Sequence, residues 1–116
     1  MRTRDASPTL RVSPRDQETD VPRDTTLLVA APRPVAYHST SGVQVRSAQG
    51  EVEGVLDISS DGRILFWRPT EILDARVEHH VTISGVRDER GAPFDDHTST
   101  FVTGVFSYVD LKLLPD

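Results

Sequence analysis

The sequence predicts an all-β sandwich of about seven antiparallel strands in two sheets, and three observations carry that expectation. Residues 81–104 read as an alternating strand, an acidic turn containing Gly91 and Pro93, and a second alternating strand. Asp61 and Gly62 separate two β-prone runs; Asp-Gly is a strong short hairpin signal because both residues accept positive φ. Turns rich in Gly, Pro and Asp recur at intervals of about 8–12 residues, the spacing of a sandwich.

Taken in order, the elements are short. Residues 1–9 are polar and charged and read as a flexible N-terminal arm. Leu10 to Val12, just before Ser13 and Pro14, suits an edge strand, because proline cannot donate to a central ladder. Residues 15–20 form a polar turn, and residues 25–31 are a β-prone run halted by Pro32 and Pro34. Residues 43–46 and 52–58 alternate, and residues 64–69 supply the partner of the Asp61–Gly62 hairpin. Residues 70–75 alone have helical character, enough for one turn. The alternation assigns Leu27, Val29, Ala31, Val43, Val45, Leu65, Trp67, Val81, Ile83 and Phe101 to the core. Each large apolar side chain gains roughly 1.5–3 kcal/mol on burial. Trp67 sits within an alternating run rather than on a loop, so packing outweighs a role as a sugar-stacking platform. The sandwich is expected over residues 10–104, with residues 105–116 as a further strand or tail.

Composition narrows the function classes. A chain of 116 residues makes one domain able to bury roughly two thirds of its unfolded surface without staples. It has no cysteine, hence no disulfide, thiolate nucleophile or cysteine-ligated zinc. No apolar run is long enough for a membrane helix, and the first residues lack an apolar signal-peptide core. The expected setting is therefore extracellular or envelope if a signal has been removed, and cytoplasmic if the chain is the complete gene product. A net charge of −5 with dispersed arginines argues against nucleic acid, whose phosphates demand a cationic face.

The order of several short elements then carries a resemblance. Ser13, Pro14 and Asp16, followed by Val21, Pro22, residues 25–29, Pro34 and Val35, resemble the opening of the bacterial Ig-like domain of the SbsA S-layer type. Gly50, Val55, residues 64–66, Arg68, Pro69 and Leu73 resemble that family's middle strands. Gly85, Asp88, Gly91, Phe101, Thr103 and Gly104 resemble its closing signature. The resemblance covers residues 13–104 and implies an Ig-like β-sandwich used for spacing, presentation or adhesion. Three positions depart from it: Ala31 replaces a phenylalanine, His79 replaces a tyrosine, and the opening turn has Glu18 nearby but no glycine. A tyrosine at that corner of Ig-like sandwiches hydrogen-bonds the backbone. His79 is expected to supply a shorter bond and to make the corner sensitive to pH.

Candidate chemistry is sparse. His79 and His80 are adjacent, but consecutive strand side chains point to opposite faces, so they are not expected to share a metal. Asp88, Asp95 and Asp96, with Glu89 and His97, form a weak calcium candidate, because calcium takes six to eight oxygen ligands. The spacing does not match an EF-hand, and acidic residues also shape turns locally; Asp88 is expected to cap amides ahead of Gly91. No Gly-x-Ser-x-Gly elbow, His-Glu-x-x-His helix or phosphate-binding glycine loop is present. The chain is accordingly expected not to be an enzyme and to need no cofactor.

The leading expectation is a non-catalytic Ig-like structural or interaction module of a bacterial envelope or extracellular protein. One alternative is a carbohydrate- or calcium-dependent binding module, for which Tyr37, Phe94, Phe106 and Tyr108 are the available aromatics. Another is a decorating subunit of a larger assembly. The last strand continues beyond the usual end of such domains: Val105, Val109, Leu111 and Leu113 alternate with Phe106 and Tyr108. This segment is expected either to pack on its own domain as an extended last strand or to add to another domain, a protein subunit or a second copy, with Phe106, Tyr108, Val109, Leu111 and Leu113 as the candidate surface.

Overall fold

The structure, a computed structural model, describes residues 9–107. Its strands are β1 (Arg11–Ser13), β2 (Glu18–Val21), β3 (Leu27–Ala30), β4 (Val43–Ser47), β5 (Gly50–Glu51), β6 (Gly54–Ile58), β7 (Ile64–Pro69), β8 (Glu78–Ile83) and β9 (His97–Thr103). They form a four-stranded sheet in the order β1-β3-β7-β6 and a five-stranded sheet in the order β2-β9-β8-β4-β5. The all-β sandwich expected from the sequence is the fold observed.

Alternation explains how the sheets meet. Leu27 and Val29 of β3, Leu65 and Trp67 of β7, Val81 and Ile83 of β8, and Phe101 of β9 point inward and are buried, whereas their strand neighbours are less so. They join Leu10, Val21, Val35, Leu73, Val86 and Phe94 in one core. Val43 and Ala31, also expected inside, pack against that core but remain half-buried. The β6–β7 hairpin turns at Gly62, which takes φ +76°. Asp61 stays out of the left-handed region and caps the turn instead: its Oδ1 accepts from Ser59 Oγ at 2.6 Å and from Arg63 N at 3.1 Å.

Four expectations are corrected. The described residues contain nine strands rather than about seven, because the extra ones, β2 and β5, are polar and show no apolar alternation. The segment read as a polar turn supplies β2, which pairs parallel with β9 through Glu18–Phe101 and Val21–Thr103, so the sandwich is not wholly antiparallel. Gln17 N donates to Thr100 O at 2.6 Å, and Thr100 N donates to Asp16 Oδ1 at 3.0 Å, which locks the entry to this strand. Gln17 takes φ 65° at this opening turn, a left-handed conformation reached without glycine.

Residues 70–75 form no helix. Leu73 N instead donates to Arg23 O at 2.8 Å, and Arg23 Nε returns a bond to Leu73 O at 2.7 Å. A single helical turn fixes several dihedrals for one hydrogen bond, so these long-range bonds win. A 3₁₀ helix forms over Tyr37–Gly42 instead, with Thr40 Oγ1 donating to Tyr37 O at 2.7 Å.

Candidate functional site

The acidic turn between β8 and β9 is organised by Asp88. Gly91 takes φ +88° and its N donates to Asp88 O at 2.9 Å, which tightens the bend. Asp88 Oδ1 accepts from Arg90 N and Ala92 N, each at 2.9 Å. Its Oδ2 accepts from Arg33 Nε at 2.8 Å, and the Arg33 guanidinium carbon lies 4.9 Å from the centre of the Phe94 ring. The Arg33 hydrogen bond, followed by the Ala92 amide, holds the Asp88 carboxyl below the usual aspartate range. Both oxygens are therefore committed to the turn.

Asp95, Asp96 and Glu89 are exposed, and the structure does not gather them with Asp88. Among the described residues no group of three or more His, Asp or Glu is placed to hold a metal ion. Phe94, a candidate exposed aromatic, is buried under Arg33. Trp67 is buried too, whereas Tyr37 is 56% exposed.

The two adjacent histidines separate as strand geometry requires. His79 faces the core opposite Phe101, and His80 faces solvent opposite Thr100. The His79 ring stacks on Phe101 with centroids 5.0 Å apart and planes 12° from parallel. Its Nδ1 is buried without a hydrogen-bond partner, so the side-chain-to-backbone bond expected at this corner is not made by that atom. Burial lowers the His79 pKa, opposed by a smaller effect of hydrogen bonding between the ring and the Val77 backbone and by the Asp74 charge. A serine–histidine contact occurs nearby in the sequence, His97 Nε2 to Ser99 Oγ at 3.0 Å. Ser99 faces inward and is buried, which leaves its hydroxyl poorly placed to meet a substrate.

Sequence reasoning did not find the groove between the free sides of β4 and β6. It has a volume of about 720 Å³, with Tyr37 and His38 among its walls and Leu56 and Trp67 also lining it. β5 is a two-residue strand paired with β4 at Arg46–Glu51 and Ser47–Gly50, and one further bond, from Val52 N to Val45 O at 2.8 Å, continues the pairing, so this edge of the sandwich is only partly covered. Gly54 lets the Trp67 indole lie against β6, since a Cβ there would fall 2.2 Å from Trp67 Cε2. A glycine within an alternating run is the one sequence signal for that close approach.

Of the candidate interaction surface, Phe106 is half-buried, and its carbonyl accepts from Arg23 N at 3.0 Å. Ser107 is buried, so the chain follows its own domain at least that far. Tyr108, Val109, Leu111 and Leu113 lie outside the described residues.

No family model and no curated protein matches the chain. Solved structures do share its fold. The surface layer protein SbsC, domains 1–6, superposes with a TM-score of 0.60 at 17% identity over 83% of this chain, which spans 14% of the SbsC chain. CopC from Methylosinus trichosporium OB3b gives 0.68 at 13% identity, covering 83% of this chain and 92% of that one. An L,D-transpeptidase from Mycobacterium smegmatis gives 0.61 at 16% identity, covering 83% and 39%.

The expectation that the chain is not an enzyme is corrected by the last of these. Transpeptidases are enzymes, so this fold occurs in catalytic proteins as well as in S-layer proteins, and the absence of familiar motifs does not exclude that class.

Proposed function

We propose that this chain is an Ig-like structural and interaction module of a bacterial envelope or extracellular protein, of the SbsA type that residues 13–104 resemble. One observation carries the reading. Four fifths of this chain superposes on one seventh of an S-layer protein and on two fifths of a transpeptidase, so the fold recurs as one unit within longer chains. A rigid two-sheet body with short edge strands suits spacing and presentation. The open groove beside β4 and β6 offers a surface for a neighbouring domain or subunit. The reading is of the module and is compatible with a parent polypeptide of either kind, S-layer protein or enzyme. The test is fractionation of the source cells with an antibody to this domain, combined with protease treatment of intact cells. Recovery in the envelope or medium, with loss on protease treatment, is expected. Recovery confined to cytosol and protected from protease overturns the proposal.

A further inference from the structure

Four strands lie at sheet edges, β1 and β6 in one sheet and β2 and β5 in the other. A long, regular edge presents free N–H and C=O groups that invite another strand, and native sheets blunt their edges against this. β1 has three residues and is halted by Pro14, β5 has two residues, and β2 slips register against β9 between Glu18 and Val21. β6 has none of these protections. It keeps unbroken register with β7 over Gly54–Ile58 and contains no Lys, Arg or Pro. Among the described residues no strand covers its outer side.

The phase of the ladder identifies the free groups. Thr70 N donates to Glu53 O at 3.0 Å, and Ser59 N donates to Ile64 O at 2.8 Å. Antiparallel neighbours alternate between bonded and non-bonded pairs, so Glu53, Val55, Asp57 and Ser59 bond toward β7. Gly54, Leu56 and Ile58 therefore direct their backbone groups outward. Pro69, opposite Gly54, has no N–H to give and fits that phase. Side chains divide by the same alternation. Leu56 and Ile58 pack against the core, whereas Val55 is 52% exposed and the exposed Asp57 pairs with Arg68 at 2.9 Å.

The geometry points to a second copy of this chain as the partner of that edge, joined by antiparallel β6–β6 pairing about a two-fold axis at Leu56. Leu56 then faces Leu56 of the other copy, Gly54 faces its Ile58, and each such pair exchanges both backbone bonds. Charge selects this register. An axis at Asp57 sets the two Asp57 carboxylates face to face, and an axis at Val55 sets Asp57 against Glu53; like charges directly opposite are unfavourable. An axis at Leu56 sets Asp57 against Val55 and leaves each Asp57 to its own Arg68. The strand thus carries a self-complementary pattern, which favours a second copy over an unrelated strand. The two Leu56 side chains meet on the side of the groove that Leu56 lines. This pairing is independent of the cellular setting proposed above.

The test is sedimentation equilibrium of the full chain at rising concentration, with amide hydrogen exchange of β6 read by NMR in the same samples. A monomer–dimer equilibrium is expected, with exchange at Gly54, Leu56 and Ile58 slowing as the dimer forms. Val55→Asp and Val55→Lys test the register at an exposed position, so the core stays intact. Val55→Asp sets a carboxylate against Asp57 twice across the axis and should weaken the dimer about tenfold. Val55→Lys sets a cation there and should preserve or tighten it, although lysine ordinarily protects an edge. A monomer at every concentration overturns the proposal, whether the β6 amides exchange freely or are already protected. So does a dimer that leaves those amides unprotected, one that Val55→Asp does not weaken, or one that both variants weaken alike.

Discussion

His79 of β8 and Phe101 of β9 occupy paired register positions, and their rings stack in the core, 5.0 Å apart and 12° from parallel. The pair couples folding to pH. Because burial lowers the folded-state pKa of His79, the unfolded chain binds the proton more readily. Stability contributed by neutral His79 is complete above about pH 6.5 and is lost as pH falls from there to the folded-state pKa. His97 is lowered as well, chiefly by burial and against the charge of Asp16, so it adds in the same direction. The expected result is a thermal midpoint that drops as pH falls below about 6.5. His79→Phe combined with His97→Gln should flatten that limb, and calorimetry across this range checks it.

Arg33 and Asp88 make the second test. Arg33→Ala removes the hydrogen bond that most lowers the Asp88 pKa, so the carboxyl should titrate closer to the ordinary aspartate value, read by carboxyl carbon NMR. Asp88 contributes stability above its unfolded pKa of about 3.9 and loses it as pH falls through the folded value. Asp88→Asn should lower the melting temperature at neutral pH, because one oxygen that accepts from Arg33 or from the turn amides becomes a donor.

Gly54 tests the packing of Trp67. A methyl group at Gly54 would collide with the indole, so Gly54→Ala must displace the ring or the edge strand β6. A loss on the order of 1–3 kcal/mol is expected from such overpacking. Denaturant unfolding followed by fluorescence of Trp67, the single tryptophan, measures both the loss and any change in ring environment.

Calcium provides a fourth check. The oxygens of Asp88 accept from two amides and a guanidinium, so metal binding there has to break the turn. Millimolar calcium is therefore expected to leave the melting temperature unchanged. A saturable rise abolished by Asp95→Asn together with Asp96→Asn would restore the calcium reading.

What could be read from the sequence was the part that depends on local periodicity. Alternation placed Leu27, Val29, Leu65, Val81, Ile83 and Phe101 inside, and Asp61 with Gly62 marked the β6–β7 hairpin, because side-chain direction and turn conformation follow from neighbouring residues. The departure at His79 was visible, but its stacking on Phe101 and the burial of its Nδ1 were not.

The tertiary structure alone decided what rests on contacts distant in sequence. β2 exists because Gln17 and Asp16 bond to Thr100, more than eighty residues away, and no local pattern announces a parallel edge strand. Asp88 serves its turn through Arg33, fifty-five residues earlier. The groove arises where β4, β5 and β6 converge. Periodicity by itself determined the sandwich, since a strand's two faces are set residue by residue; the choice of partners along its edges needed the whole folded chain.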